Sequence, residues 1–272
     1  MRCFTMVLFV ATTGMSASAT DTLAPRRPVH DFGSGIATVV RDAWAYTTSP
    51  LRMDRDQALV LGGIVAVGGA LFTFDEEIHE FMQRHEREPG FDEVRRLGTR
   101  YSKWGLMGPT SKYYVGTILI GYAADEPRLV RMGVEILQSQ FLCGYVRRVV
   151  IGVAGRSRPH EGRGAYYFAS AGGTSLPSGH ATSIWSAVEV ARLHADRWWV
   201  TVPLYTVAGA ISAQRVFSDA HWASDVWFGA ALGIASARFF HRRHEDSDGS
   251  GGRVVPTVAP NGMPALGITT AF

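Results

Sequence analysis

Between residues 58 and 241 the chain offers one apolar run of helical length after another and almost no strand-like alternation of apolar and polar residues. A chain patterned this way must bury helix against helix. The runs at 58–74, about 103–124, 128–154, 179–194, 199–216 and 221–241 give an all-α, six-helix bundle. A charged stretch after the first run, DEEIHEFMQRHERE, reads as a further helix with a solvated or interfacial face, and a short helix is expected near Ile36–Tyr46. From His241 the character changes: HRRHEDSDGSGG is charged and rich in Gly and Ser, as linkers are. Beyond it, Asn261-Gly262 sits between two β-prone runs, a weak hairpin signal that Pro256, Pro260 and Pro264 restrict to edge-like structure. The expected organisation is a leader at 1–19, a lead-in at 20–57, a helical domain at 58–241, and a flexible tail at 242–272 that is irregular or a short hairpin.

The N-terminus has the pattern of a secretory signal. Arg2 is followed by a short apolar stretch over 3–15, and Ala17-Ser18-Ala19 is a small-residue cleavage pattern. Cys3 lies in that leader, so Cys143 is the sole cysteine of a mature chain and an intrachain disulfide is excluded. Cys143 sits in an apolar run and reads as a buried filler rather than a nucleophile. Net charge is +3 with a pI near 9.0, which suits anionic substrates or membrane surfaces. No dense Lys/Arg run with interleaved aromatics is present, so nucleic acid is not an expected partner.

Three separated clusters carry chemistry: Gly155-Arg156-Ser157-Arg158-Pro159, then Pro177-Ser178-Gly179-His180, then Gln214-Arg215 with His221 and Asp225 behind it. Each is weak alone. Pro-Ser-Gly-His fits any turn into a helix, Arg-Pro often ends one, and a His and an Asp four apart can be a surface pair. Together they make a phosphate site. Ser178 caps a helix whose free N–H groups suit an anion, and Gly179 permits close approach. Arg158 and Arg215 are permanently charged forks matched to phosphate oxygens. Asp225, one turn beyond His221, can accept its Nδ1 proton and leave Nε2 as a nucleophile, while His180 protonates the departing oxygen.

In order and spacing these clusters resemble the signature of the type 2 phosphatidic acid phosphatase and vanadium haloperoxidase superfamily, over roughly residues 110–240. The resemblance implies a helical bundle with the motifs at one end and a phosphohistidine intermediate on His221 with Asp225 as its partner. It implies His180 as acid and then base, and Arg158, Arg215, Ser178 and Gly179 as phosphate ligands, with no metal and no cofactor. Two positions depart from the pattern. Ile151 stands where the first motif carries Lys; Arg148, one helical turn earlier, is the expected substitute, with Arg147 and Arg156 as other candidates. Gln214 replaces the usual Ser before Arg215.

The expected activity is therefore a metal-independent phosphatase acting on a lipid phosphate or lipid pyrophosphate at the outer face of an inner membrane. A soluble periplasmic acid phosphatase of broad specificity is the alternative, taking a small phosphate ester. A vanadate-dependent haloperoxidase is disfavoured by chain length. A non-enzymatic envelope protein with a decayed site draws support only from Ile151. Elsewhere, Asp75 to Glu86 could suggest a metal set, but His79 and His85 do not share a helical face. His194 and the HRRH run at 241–244 read as polar, solvated ends rather than ligands. Trp198, Trp199, Trp222 and Trp227 fit either membrane-interface anchors or core.

Membrane insertion is contested within the sequence. Basic residues fall at alternate helix ends (Arg52 and Arg55, Arg128 and Arg131, Arg192 and Arg197, Arg238 to Arg243), which puts the motifs outside. Yet mean hydropathy is only +0.03, several helices carry internal charges, and a cleaved leader followed by three crossings would put the motifs in the cytoplasm.

Overall fold

The computed structural model describes residues 40–169, 172–248, 252–258 and 264–270. The expected leader and most of the lead-in lie outside these residues. A first helix, α1, covers 40–48. It is followed by α2 (Arg55–Thr73), α3 (Asp75–His85), α4 (Phe91–Tyr101), α5 (Met107–Ala123), α6 (Pro127–Ala154), α7 (Gly179–Ala195), α8 (Trp198–Phe217) and α9 (Ala223–Asp248). The all-α expectation holds, and the six apolar runs correspond to α2 and α5–α9. The helix not expected is α4, FDEVRRLGTRY, whose charge density hides a narrow packing face. That face lies so close to α8 that a Cβ on Gly98 would stand 2.1 Å from the carbonyl of Ala210.

The centre of the bundle is α7, rich in small residues that let neighbours approach. On α9, Gly229 and Gly233 share a face, and a Cβ on them would meet Ser178 O at 2.6 Å and Thr182 O at 2.4 Å. On the α6 side, Ser139 Oγ and Ser186 Oγ are 2.7 Å apart and Gln140 donates to Ser183 O at 3.1 Å. Apolar packing fills the rest: Tyr114, Ile136, Ala187, Val190 and Ala237 form one cluster, and Ile184, Val188, Ala208 and Ile211 another. Cys143 is buried among them, and burial pushes its thiol up to about 12, as expected of a filler.

Among the described residues α2 alone is long and apolar enough to cross a membrane, by length and composition. Its outer surface is bare apolar side chain, including Leu59, Val60, Val65 and Val67. It is tied to the bundle by Trp227, which donates to Ile64 O at 2.9 Å, and by the ring of Phe228 against Gly68. The tryptophans therefore divide. Trp222 is buried, Trp227 pins α2, and Trp198 and Trp199 stand 77% and 55% exposed at the start of α8.

Two polar expectations need correction. The acidic stretch after α2 is not simply solvated: Asp75 is fully buried and pairs with Arg156, while Glu76 accepts the amide of Ala165 at 2.9 Å. The HRRH run does not begin a flexible tail, because α9 continues to Asp248. The reason is Glu135 of α6, whose buried carboxylate draws in His194, His241 and His244. Burial raises the Glu135 carboxyl, but these imidazoles outweigh it and hold it at about 2. Past α9, strands β1 (Gly252–Val258) and β2 (Pro264–Thr270) pair antiparallel, Gly252 opposite Thr270 and Val258 opposite Pro264, so a hairpin does form in the tail.

Candidate active site

The three sequence clusters meet at one end of the bundle. α6 ends at Gly155, whose left-handed φ of 57° turns the chain, and its amide closes on Ile151 O at 2.9 Å. The following segment folds back on itself, with Ser157 N bonded to Tyr167 O at 3.0 Å and Ala169 N to Gly155 O at 3.0 Å. This hairpin projects Arg158, whose Nε donates to Thr174 Oγ1 at 3.0 Å. The second cluster forms the N-terminus of α7, with Ser178 as N-cap residue. The Ser178 amide donates to Asp225 O at 2.9 Å, so the second cluster is fastened to the third.

The third cluster spans the α8–α9 corner. Ala220 N and His221 N both reach Arg215 O at 3.1 Å. Asp219 takes a left-handed φ of 55°, held by His79 Nε2 at 2.7 Å from its carboxylate and by His160 N at 3.1 Å from its carbonyl. Asp225, the third residue of α9, reaches back to accept the Trp222 amide at 3.0 Å, a helix-start cap that also fixes its carboxylate beneath His221.

Under this site lies a buried ion network that sequence reasoning missed. Arg156 is 1% exposed. It donates from Nη1 to Asp225 Oδ1 at 2.7 Å and Ser224 Oγ at 2.8 Å, from Nη2 to Asp75 Oδ2 at 2.7 Å, and from Nε to Ala165 O at 2.9 Å. The guanidinium also lies over the Phe72 ring at 4.7 Å. Four of its five N–H donors are used and the side chain is fully buried, so Arg156 is not a phosphate ligand. It neutralises two carboxylates and locks α3 to α9. Burial alone would raise the Asp225 carboxyl. The charges of His221 and Arg156 and the hydroxyl of Ser175 outweigh it and hold it below its ordinary range.

Arg147, and not the expected Arg148, faces the site from α6. Arg148 is exposed on the outer face of α6. Arg147 donates from Nε to Pro177 O at 3.0 Å, and its guanidinium lies across Gly179, where a Cβ would come within 2.9 Å of Cζ. Both positions lie within a turn of Ile151, but they are about 100° apart around the helix axis, and α6 turns Arg147 toward α7 and Arg148 toward the outside. Gly179 therefore serves to admit this arginine. Gln214 is occupied locally: its Oε1 accepts from Arg215 Nε at 2.8 Å and holds that fork in place.

Arg147, Arg158 and Arg215 form a cationic cluster in which no guanidinium pairs with a carboxylate among the described residues. Burial first, and then the charge of Arg158, push both Arg147 and Arg215 down from their ordinary values. His180 feels the same field. Its Nε2 is 3.4 Å from Arg215 Nη1, and burial together with Arg215, His221, Arg147 and Arg158 lowers it to about 4. His221 is buried and lowered chiefly by burial. Its Nδ1 lies 3.9 Å from Asp225 Oδ2, beyond hydrogen-bond reach, because that oxygen already accepts from Ser175 Oγ and the Trp222 amide. His221 Nδ1 and Ser178 Oγ are both buried without a hydrogen-bond partner.

The model of the PAP2 superfamily matches residues 136–248. Among curated proteins no sequence matches. Among solved structures the chain is similar to the crystal structure of Aquifex aeolicus LpxE, with 16% identity, 62% of this chain and 95% of that chain covered, and a TM-score of 0.46. All three clusters and Arg147 fall inside the matched segment, which spans less than half of the chain; over that segment the chain is similar to the PAP2 superfamily, in line with the resemblance its motifs carry.

Proposed function

We propose that the protein is a phosphatase that hydrolyses a lipid phosphate or lipid pyrophosphate through a phosphohistidine on His221, without a metal at the reacting group. The observation that carries this reading is the trio of arginines without carboxylate partners, gathered at the N-terminus of α7 beside two imidazoles. Such a cluster is stabilised by an oxyanion, and helix N–H groups complete its cradle. In the first step the His221 Nε2 lone pair attacks phosphorus and the P–O bond to the lipid breaks. The departing oxygen takes a proton from His180. In the second step water attacks phosphorus, neutral His180 accepts its proton, and the P–N bond breaks to release phosphate and restore His221. Asp225 must favour the Nδ1–H form of His221; binding of the phosphoryl group is expected to shorten their separation, as catalytic contacts commonly tighten on substrate binding.

A lipid substrate is favoured by the bare apolar flank of α2 and the exposed Trp198 and Trp199. Arg55 begins α2 and Arg52 lies just before it, while the far end of α2 leads directly into Asp75 beneath the site. With basic residues on the cytoplasmic side, that direction supports a site at the outer face. The soluble alternative is favoured by one observation, that among the described residues a single helix passes the test for a span.

Phosphate release from a panel of lipid and soluble phosphates, with EDTA present, tests the reading. Turnover of lipid phosphates in EDTA, with a ³²P label trapped on wild-type protein and absent from His221→Ala, is expected. Loss of turnover in EDTA, or a trapped label that persists in His221→Ala, would overturn it. Labelling of an engineered Cys near Arg158 by a membrane-impermeant reagent in intact cells checks the orientation.

A further inference from the structure

At the end of the bundle opposite the arginines, the same three helices α6, α7 and α9 bring together a second polar constellation. Glu135 is completely buried. Its Oε2 lies 2.9 Å from His194 Nε2 and 2.9 Å from His241 Nδ1, and its Oε1 lies 3.3 Å from His244 Nδ1. These imidazoles are themselves largely buried, with side chains 10%, 12% and 18% exposed. The donor atoms of Glu135, His194 and His241 all lie within 4.8 Å of one another, and the His194 and His241 rings meet edge to face at 5.0 Å.

We propose that Glu135, His194 and His241 form a structural binding site for a divalent transition metal of the zinc type, with His244 adjacent to it. Two imidazole nitrogens and a carboxylate oxygen are the donor set that zinc prefers. With metal–ligand bonds of about 2.0–2.1 Å, the edges of a coordination tetrahedron are about 3.3 Å, so the donors need only small shifts to surround an ion. The second nitrogen of His241 faces Glu245 Oε1 at 3.5 Å. A carboxylate behind a ligating imidazole fixes its tautomer and raises its basicity. A further observation points the same way: Glu135 Oε1 is buried and accepts no well-formed hydrogen bond, although three imidazoles surround this carboxylate.

The site is not catalytic. His180 and His194 are fourteen residues apart on α7, which places the two ends about 21 Å from each other. The ion would instead fasten the C-terminal turns of α7 and α9 to α6, and with them the start of the tail. Metal-free chemistry at His221 and a metal at Glu135 are compatible, and the two fail separately: binding here is read without turnover.

The test is titration of the full-length, untagged, chelator-treated protein with Co²⁺ followed by visible absorption, then displacement by Zn²⁺, with thermal unfolding in parallel. Expected are one Co²⁺ per chain with the strong d–d absorption of a tetrahedral site, its loss on adding Zn²⁺, and a raised Tm. His194→Gln and His241→Gln should each weaken binding by at least tenfold, and Glu245→Gln by about tenfold. Absence of a tetrahedral cobalt spectrum in the wild-type protein would overturn the proposal and leave the cluster as a hydrogen-bond network. So would cobalt binding that both histidine variants retain at full affinity.

Discussion

The two ends of α6, α7 and α9 each set imidazole against a buried carboxylate, and they do it in opposite ways. At the arginine end, Asp225 is saturated by Arg156, Ser175 and a backbone amide, so His221 is left with an unpaired Nδ1 and a lowered pKa. At the far end, His194, His241 and His244 are the partners that Glu135 meets among the described residues. On the proposed function, an anion held by a permanent charge leaves its histidine open to a substrate, whereas an anion held by histidines occupies them. Identical residue types thus acquire different roles from what else reaches the carboxylate.

The sharpest way to break this comparison is His221→Ala. On the proposed mechanism it removes the nucleophile, so kcat should fall by at least about 10⁴-fold, or roughly 5.5 kcal/mol in barrier, with thermal stability nearly unchanged. Steady-state kinetics beside a melting curve decide it, and a fall of only tenfold would return His221 to a supporting role. Arg156→Met probes the fixed cation. Removing it leaves Asp75 and Asp225 buried without their partner, and breaking such a pair costs about 3–5 kcal/mol of stability, read by denaturant unfolding. Next comes Arg147→Ala, which removes a donor aimed at the phosphoryl group and should cost about 10²–10³ in rate. Arg148→Ala, its exposed neighbour, should stay within about twofold, and the reverse ranking would overturn the assignment of Arg147.

A proton measurement sharpens the same contrast. Free His180 is lowered to about 4 because burial, His221 and the three arginines around it oppose its charge. A bound phosphate dianion cancels that field and raises the pKa. Sulfate is a dianion of the same shape that does not itself titrate in this range, so its binding between pH 5 and 6 should draw in protons, up to about one per site. Calorimetry in buffers of different ionisation enthalpy would show it, and His180→Gln should abolish it.

Much of this was legible in the sequence because the informative features are local. Helix period marks α2 and α5–α9, and Gly155, Gly179 and the Arg215-to-Asp225 spacing mark where an anion site can form. The acidic start of α3 was not legible. Asp75 looks like any first-turn carboxylate until α9 packs over it, and Arg156 looks like a spare phosphate ligand until four of its five donors are seen to be spent on buried partners. The choice between Arg147 and Arg148 turns on a single residue's rotation about a helix axis, about 100°. Periodicity over long runs does not fix that angle, because it follows from how α6 rotates against α7. His194 and the 241–244 run carried no ligand spacing, since their common partner Glu135 lies more than fifty residues upstream.

The amino-acid order alone determined the helical class, the three clusters and the side chains able to hold and attack a phosphoryl group. Those properties depend on neighbours within a turn or two and on intrinsic charge. Tertiary structure decided which arginine of α6 faces the site, which carboxylates are neutralised from within, and which histidines are committed to structure. Each of these is a contest among several suitors for one buried anion or one small void, and only the packing of α6, α7 and α9 fixes which of them arrives.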